Sequence, residues 1–141
     1  MLKQLVGEWM TRRALRVEPG EPVFAAMEVM AEHGVRHVLV MRQEELLGIV
    51  SNRDVVRAAL HHPERRLDLH QVDVGAVMTP APLLTTWPGA SLAEVAEAMR
   101  SKKVSALPVL EGERVAGIIT TDDILGAVAA PDAGPARRPD L

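Results

Sequence analysis

Gly48-Ile49-Val50-Ser51-Asn52-Arg53-Asp54 reappears, sixty-nine positions on, as Gly117-Ile118-Ile119-Thr120-Thr121-Asp122-Asp123. Both stretches run from an apolar segment into a hydroxyl residue followed three positions later by an acid, the pattern of a strand that ends where a helix begins. Outward from them the spacing holds: Pro19-Gly20 returns as Pro88-Gly89, Met30 as Met99, Val35 as Val104 and Val40 as Val109. It slips by one only near the start of each copy, where Val6-Gly7 and Met10-Thr11 match Val74-Gly75 and Met78-Thr79. The chain carries two diverged copies of one unit. So short a duplication is expected to pack about a pseudo-two-fold axis, which creates paired clefts, and function is sought there.

Within each copy the signals repeat in one order. Leu15 to Val17 and Leu83 to Thr86 are β-prone stretches closed by Pro-Gly. A helix follows, with Val23, Ala26, Met27 and Met30 at helical spacing in the first copy and Leu92, Val95, Ala96 and Met99 in the second. Ser91 with Glu94 predicts a capping box, and Pro22 is placed at the first helical position. The apolar runs His37 to Met41 and Leu46 to Val50 flank a polar turn, as do Ala106 to Leu110 and Val115 to Ile119, and both pairs read as buried β-hairpins. A second helix opens at Ser51 or Thr120, carrying Val55, Val56 and Ala59 or Ile124, Leu125 and Val128. The fold class is α/β (α+β), two pseudo-symmetric β-α-β-β-α repeats. Short helices are expected within Leu2 to Met10 and Val72 to Met78. The boundaries drawn are 1–60 for the first repeat, 61–71 for a polar linker, 72–130 for the second repeat and 131–141 for a disordered tail without periodicity.

Composition narrows the function. The 141 residues suit one domain whose core both repeats share, and neither repeat is expected to stand alone. A formal net charge of −3 supplies no basic field for nucleic acid or an anionic membrane. Trp9, Phe24 and Trp87 are the only aromatics, too few for a stacking platform. Cysteine is absent, which removes disulfides and thiolate ligands or nucleophiles. No leader pattern and no apolar run of about 18 residues is found, so a soluble cytoplasmic protein is expected.

The junctions carry the chemistry. Ser51 with Asp54 and Thr120 with Asp123 have N-cap spacing, in which the hydroxyl accepts from an orphan amide and the acid complements the helix dipole. The same geometry suits a ligand, because a helix start offers free N–H groups to a phosphate and an Asp three residues on can face a ribose diol. Both readings stay open on the residues alone.

In order, Val-Gly-x-x-Met-Thr, Pro-Gly, Val104-Ser105-Ala106-Leu107-Pro108-Val109 and the Gly-apolar-apolar-Ser/Thr-x-x-Asp junction resemble cystathionine-β-synthase (CBS) domains, paired as a Bateman module over Val6 to Leu60 and Val74 to Ala129. The resemblance implies regulation by an adenosine-containing ligand (AMP, ADP, ATP or S-adenosylmethionine), with no cofactor required. It implies a first site joining Thr85, Val104, Ser105, Ala106 and Leu107 with Ser51, Arg53 and Asp54, and a second joining Arg16, Val17, Val35, Arg36 and His37 with Thr120 and Asp123. Charge favours the first. Arg53, Arg36 and His37 surround Ser51, whereas Asp122, Ser105 and Ala106 stand at the matching positions around Thr120. Asp122 puts a nucleotide in the second at a disadvantage, which Arg36 is expected to offset by reaching across.

Rival constellations are weaker. His61, His62, Glu64 and His70 invite a metal, but adjacent histidines diverge and the region reads as linker. His33 reads as a solvated helix end and the seven methionines as core filler. Asp122 and Asp123 are neighbouring acids without a nucleophile or base, so no enzyme is expected. The expected function is a regulatory nucleotide sensor acting by conformational change or through an unknown protein target, and the alternative is a ligand-free oligomerisation or scaffold module. The apolar second helices predict a homodimer.

Overall fold

Apolar residues at helical spacing, hairpin turns and Gly or Pro punctuation place twelve short elements among the described residues. They are Val6–Trp9 (α1), Arg16–Val17 (β1), Val23–His33 (α2), His37–Arg42 (β2), Glu45–Ser51 (β3), Asn52–His61 (α3), Val74–Val77 (α4), Thr79–Pro80 (β4), Leu92–Lys102 (α5), Ala106–Glu111 (β5), Arg114–Thr120 (β6) and Thr121–Ala129 (α6). The structure is a computed structural model and describes residues 4–61 and 68–132. The expected tail from residue 133 and the linker residues 62–67 lie outside the described residues.

The chain divides into two compact units, Leu15–Leu83 and a second made of the residues up to Ala14 together with those from Leu84 onward. In the first, β1 runs parallel to β2 with Val17 opposite Val40, β2 and β3 form the antiparallel hairpin, and β4 adds antiparallel to β3 with Ile49 opposite Thr79. Its core gathers Val17, Ala26, Met30, Val38, Val40, Val50 and Val74, alternate strand residues meeting one face of α2. The second unit repeats the plan with fewer paired residues. Its hairpin is β5 with β6, flanked by single bridges of Thr86 to Val109 on one edge and Thr11 to Ile118 on the other. Its core gathers Val6, Trp9, Met10, Leu92, Val95, Met99, Leu107, Val109, Ile119 and Ala127.

Each unit is thus completed by the leading segment of the other sequence copy. The Val6 and Gly7 amides donate to the carbonyls of Ala90 and Pro88 at 2.9 Å each, and the Val74 and Gly75 amides to those of Glu21 and Pro19 at 2.8 and 2.9 Å. These leading segments also cap α5 and α2: the Leu92 amide donates to the Gln4 carbonyl (2.9 Å) and the Val23 amide to the Val72 carbonyl (2.8 Å). The packed units therefore have different boundaries from the repeats at 1–60 and 72–130, because burial of Val6 and Val74 is settled by tertiary contacts and not by position along the copy.

Some local expectations need correction. Pro22 is the residue before α2, with extended backbone (φ −68, ψ 150), so the first helical position is Val23. At Ser91 half of the box forms: its hydroxyl accepts from the Glu94 amide, and Glu94 is exposed. Of the stretch Leu83 to Thr86, Thr86 alone pairs. The leading helices are short as expected, four residues each, because the segment then extends to reach the sheet edge.

Candidate functional site

A strand that delivers its last residue directly into a helix leaves the first-turn amides unpaired, and this happens twice. In the first unit β3 ends at Ser51 and α3 begins at Asn52. The Asp54 amide donates to Ser51 Oγ (3.1 Å), while the Ser51 amide and hydroxyl donate back to Asp54 Oδ2 at 2.8 and 3.0 Å. In the second unit Thr120 and Asp123 make the same box, with the Thr120 amide and hydroxyl donating to Asp123 Oδ2 at 2.8 and 3.3 Å. The capping expectation is therefore realised at both junctions. Both acids are drawn inward, Asp54 to 9% exposure and Asp123 to 1%, so Asp54 retains more access to a ligand.

Two residues that the sequence reading passed over also engage Asp54. Thr79 on β4 donates its hydroxyl to Asp54 Oδ1 at 3.2 Å, and the Arg57 guanidinium lies 3.7 Å from the same oxygen. Arg57 was legible as an acid-to-base pair three residues apart on a helix. Thr79 was not, since it arrives from the leading segment of the other copy.

His37 stands opposite Ser51 across the hairpin, and the Asn52 amide donates to the Arg36 carbonyl at 3.2 Å, so Arg36 and His37 sit at the mouth of this junction. Arg36, Arg53 and Arg57 are exposed there. The matching positions of the second unit hold Ser105, Asp122 and Gly126, with the Thr121 amide donating to the Ser105 carbonyl at 3.0 Å. One junction presents three guanidinium groups, and its counterpart an extra carboxylate.

Arg16 is placed differently. Its guanidinium donates to the Gln43 carbonyl at the hairpin turn, the opposite end of β2 from His37. Val17 is buried in the core and Val35 is half-buried. The residues expected to contact a base, Thr85, Val104, Ser105, Ala106 and Leu107, all lie in the second unit: Thr85 and Val104 are exposed, Ser105 half-buried, and Ala106 and Leu107 buried. Of the first candidate set, Ser51, Arg53 and Asp54 lie in the first unit; of the second, Arg16, Val17, Val35, Arg36 and His37 lie in the first unit and Thr120 and Asp123 in the second.

Among the described residues no group of three His, Cys, Asp or Glu is placed to hold a metal ion, and no helix is long and apolar enough to cross a membrane. His62 and Glu64 of the metal reading lie outside the described residues.

The CBS domain model matches residues 6–61 and 74–130. The chain belongs to the CBS domain family. Its two copies form a CBS pair, a regulatory module, and the mixed α/β architecture agrees with solved CBS pairs. Protein MJ1225 of Methanocaldococcus jannaschii is 27% identical over 130 residues, which cover 86% of this chain and 46% of that protein. The crystal structure of MJ1225, described as a proposed archaeal homologue of γ-AMPK, superposes with a TM-score of 0.77 at 25% identity, covering 89% of this chain and 48% of that one. The inosine-5'-monophosphate dehydrogenase of Aquifex aeolicus is 32% identical over 119 residues, 83% of this chain and 23% of the enzyme. The chain thus spans about half or less of the length of these curated relatives. The CBS domain pair of MJ0100, solved in complex with 5'-methylthioadenosine and S-adenosyl-L-methionine, shares the fold at 20% identity, with a TM-score of 0.79 over 93% of this chain and 100% of that one.

Proposed function

We propose that this CBS pair is a regulatory sensor of an adenosine-containing nucleotide, AMP, ADP, ATP or an S-adenosylmethionine-like ligand, and that it acts without catalysing a reaction. The observation that carries the reading is the junction of β3 and α3. There a helix start, a hydroxyl and a carboxylate are joined by the exposed guanidinium groups of Arg36 and Arg53, which together suit an anionic phosphate attached to a diol. Ser51, Arg53 and Asp54, with Arg36 and His37, are the proposed phosphate and ribose contacts. Thr120 and Asp123 are assigned a weaker role, because Asp122 repels phosphate and Asp123 is almost fully enclosed. A cytoplasmic location belongs to the same proposal.

Titration calorimetry with AMP, ADP, ATP and S-adenosylmethionine tests it, together with thermal shift, where a ligand at 100 times its Kd stabilises the fold by about 2.7 kcal/mol. Asp54→Ala removes charge-assisted bonds of at most about 1.5–3 kcal/mol each, so affinity is expected to fall at least about ten- to a hundredfold. Asp123→Ala, which loses a cap of the same kind, is expected to leave binding within about threefold of wild type, beside a stability loss of about 1 kcal/mol. If every ligand is silent, or both variants bind like wild type, the nucleotide reading is lost.

A second reading is favoured by one observation. Both carboxylates are already committed to their caps, while Val56 and Leu60 on α3 and Leu125 and Val128 on α6 are exposed, Leu60 and Val128 to 74% and 75%. An oligomerisation module needs such apolar side chains and no ligand. We propose that these helices support a homodimer under either reading. Light scattering at micromolar concentration is expected to return twice the chain mass, and Leu60→Glu with Val128→Glu to return the monomer. A wild-type monomer mass removes the dimer.

A further inference from the structure

We propose that Arg57 lets the Ser51–Asp54 junction distinguish a phosphorylated nucleotide from its bare nucleoside, by passing its guanidinium from Asp54 to the ligand's phosphate. The inference rests on the nucleotide reading above and adds a specificity determinant to the same site.

The two oxygens of Asp54 have separate tasks. Oδ2 is held by the Ser51 amide and hydroxyl at 2.8 and 3.0 Å and maintains the helix start. Oδ1 is shared by Thr79 Oγ1 at 3.2 Å and the Arg57 guanidinium at 3.7 Å. A carboxylate oxygen accepts about two hydrogen bonds, so a ribose diol reaching Asp54 competes for Oδ1. Arg57 is the partner that yields. Its contact is longer than a hydrogen bond, its side chain is 58% exposed, and exposed pairs of this kind are weak. Thr79 is fixed by its strand pairing with Ile49.

A guanidinium released from Asp54 regains a partner when the ligand carries a phosphate, which it can bind through two parallel N–H donors. A nucleoside displaces the same ion pair and returns nothing for it. Arg36 and Arg53 are exposed as well, but no ion pair joins either to Asp54 among those described, so they attract any anion without linking its capture to that of the diol. The second junction has Gly126 at the matching position and cannot make the exchange.

Titration calorimetry of the full chain with AMP and with adenosine, on wild type, Arg57→Gln and Arg57→Lys, tests the inference. Wild type is expected to prefer AMP. Arg57→Gln is expected to weaken AMP about tenfold while leaving adenosine unchanged or tightening it up to about fivefold, since Asp54 no longer has a competitor. Arg57→Lys, which keeps the charge, is expected to recover most of the AMP affinity. A parallel loss for both ligands, no change for either, or a wild type that binds them equally overturns the inference and leaves the nucleotide reading standing. Binding of ATP or S-adenosylmethionine alone does the same. Silence with all four removes the nucleotide reading and this inference with it.

Discussion

Deleting residues 1–14 is expected to unfold the unit built on the second copy, although every residue of that copy's own hairpin and helices remains. Val6, Trp9 and Met10 are all buried in its core beside Leu107, Val109 and Ile119. Truncating a buried Met or Trp costs about 2–5 kcal/mol, so losing these side chains together approaches the about 5–15 kcal/mol that holds a typical domain folded. Backbone partners go as well. The Thr11 and Ile118 amides exchange bonds with each other's carbonyls at 2.9 and 3.0 Å, and the Leu92 amide at the start of α5 loses the Gln4 carbonyl. Far-UV circular dichroism of the deletion is expected to show a marked loss of signal and a broadened or lowered urea transition. In parallel, a fragment Leu15–Leu83 is expected to melt more cooperatively than residues 1–60, since it keeps Val74 in its core and the shorter cut does not. A deletion that melts like the full chain would falsify the exchange of leading segments.

Gly117→Val is expected to cost about 3 kcal/mol or more, a large effect for one added side chain. A Cβ at Gly117 overlaps the Thr11 carbonyl oxygen and lies 3.0 Å from its carbon and 3.1 Å from the Arg12 Cα. These atoms are backbone, so no rotamer change relieves the overlap, and the leading segment must move off β6. Overpacking of this kind typically costs 1–3 kcal/mol and more where the backbone must shift. Gly48 is the counterpart. Its Cβ would meet the Thr79 carbonyl oxygen at 2.5 Å and Met78 Sδ at 2.7 Å, so Gly48→Val is expected to lower stability as well and, by displacing Thr79, to free one bond to Asp54. Gly20 is the control. Nothing lies within 4 Å of a Cβ there, and Gly20→Ala is expected to change stability by less than about 0.5 kcal/mol in urea titration. Equal midpoints for Gly117→Val and Gly20→Ala would show that the leading segment does not depend on close approach at Gly117.

The sequence by itself determined the duplication, the order of strands and helices, both hairpins and both capped junctions. Those features are local: a period of two or 3.6, a Gly or Pro that breaks it, and a hydroxyl three residues before an acid all act within a few positions. It also placed the cations, since Arg36 precedes and His37 opens β2 where that strand must pair with the end of β3. Tertiary structure decided the rest. Nothing in the spacing of Val6-Gly7 and Val74-Gly75 says which copy each segment joins, because either core offers the same apolar faces, and the packing assigns each to the other copy's unit. The same packing brings Thr79 to a carboxylate 25 residues away in the chain and leaves Asp54 more accessible than Asp123, although the two acids are equivalent in pattern. It also left Val56, Leu60, Leu125 and Val128 on the surface, because a short helix buries one face and turns the other outward.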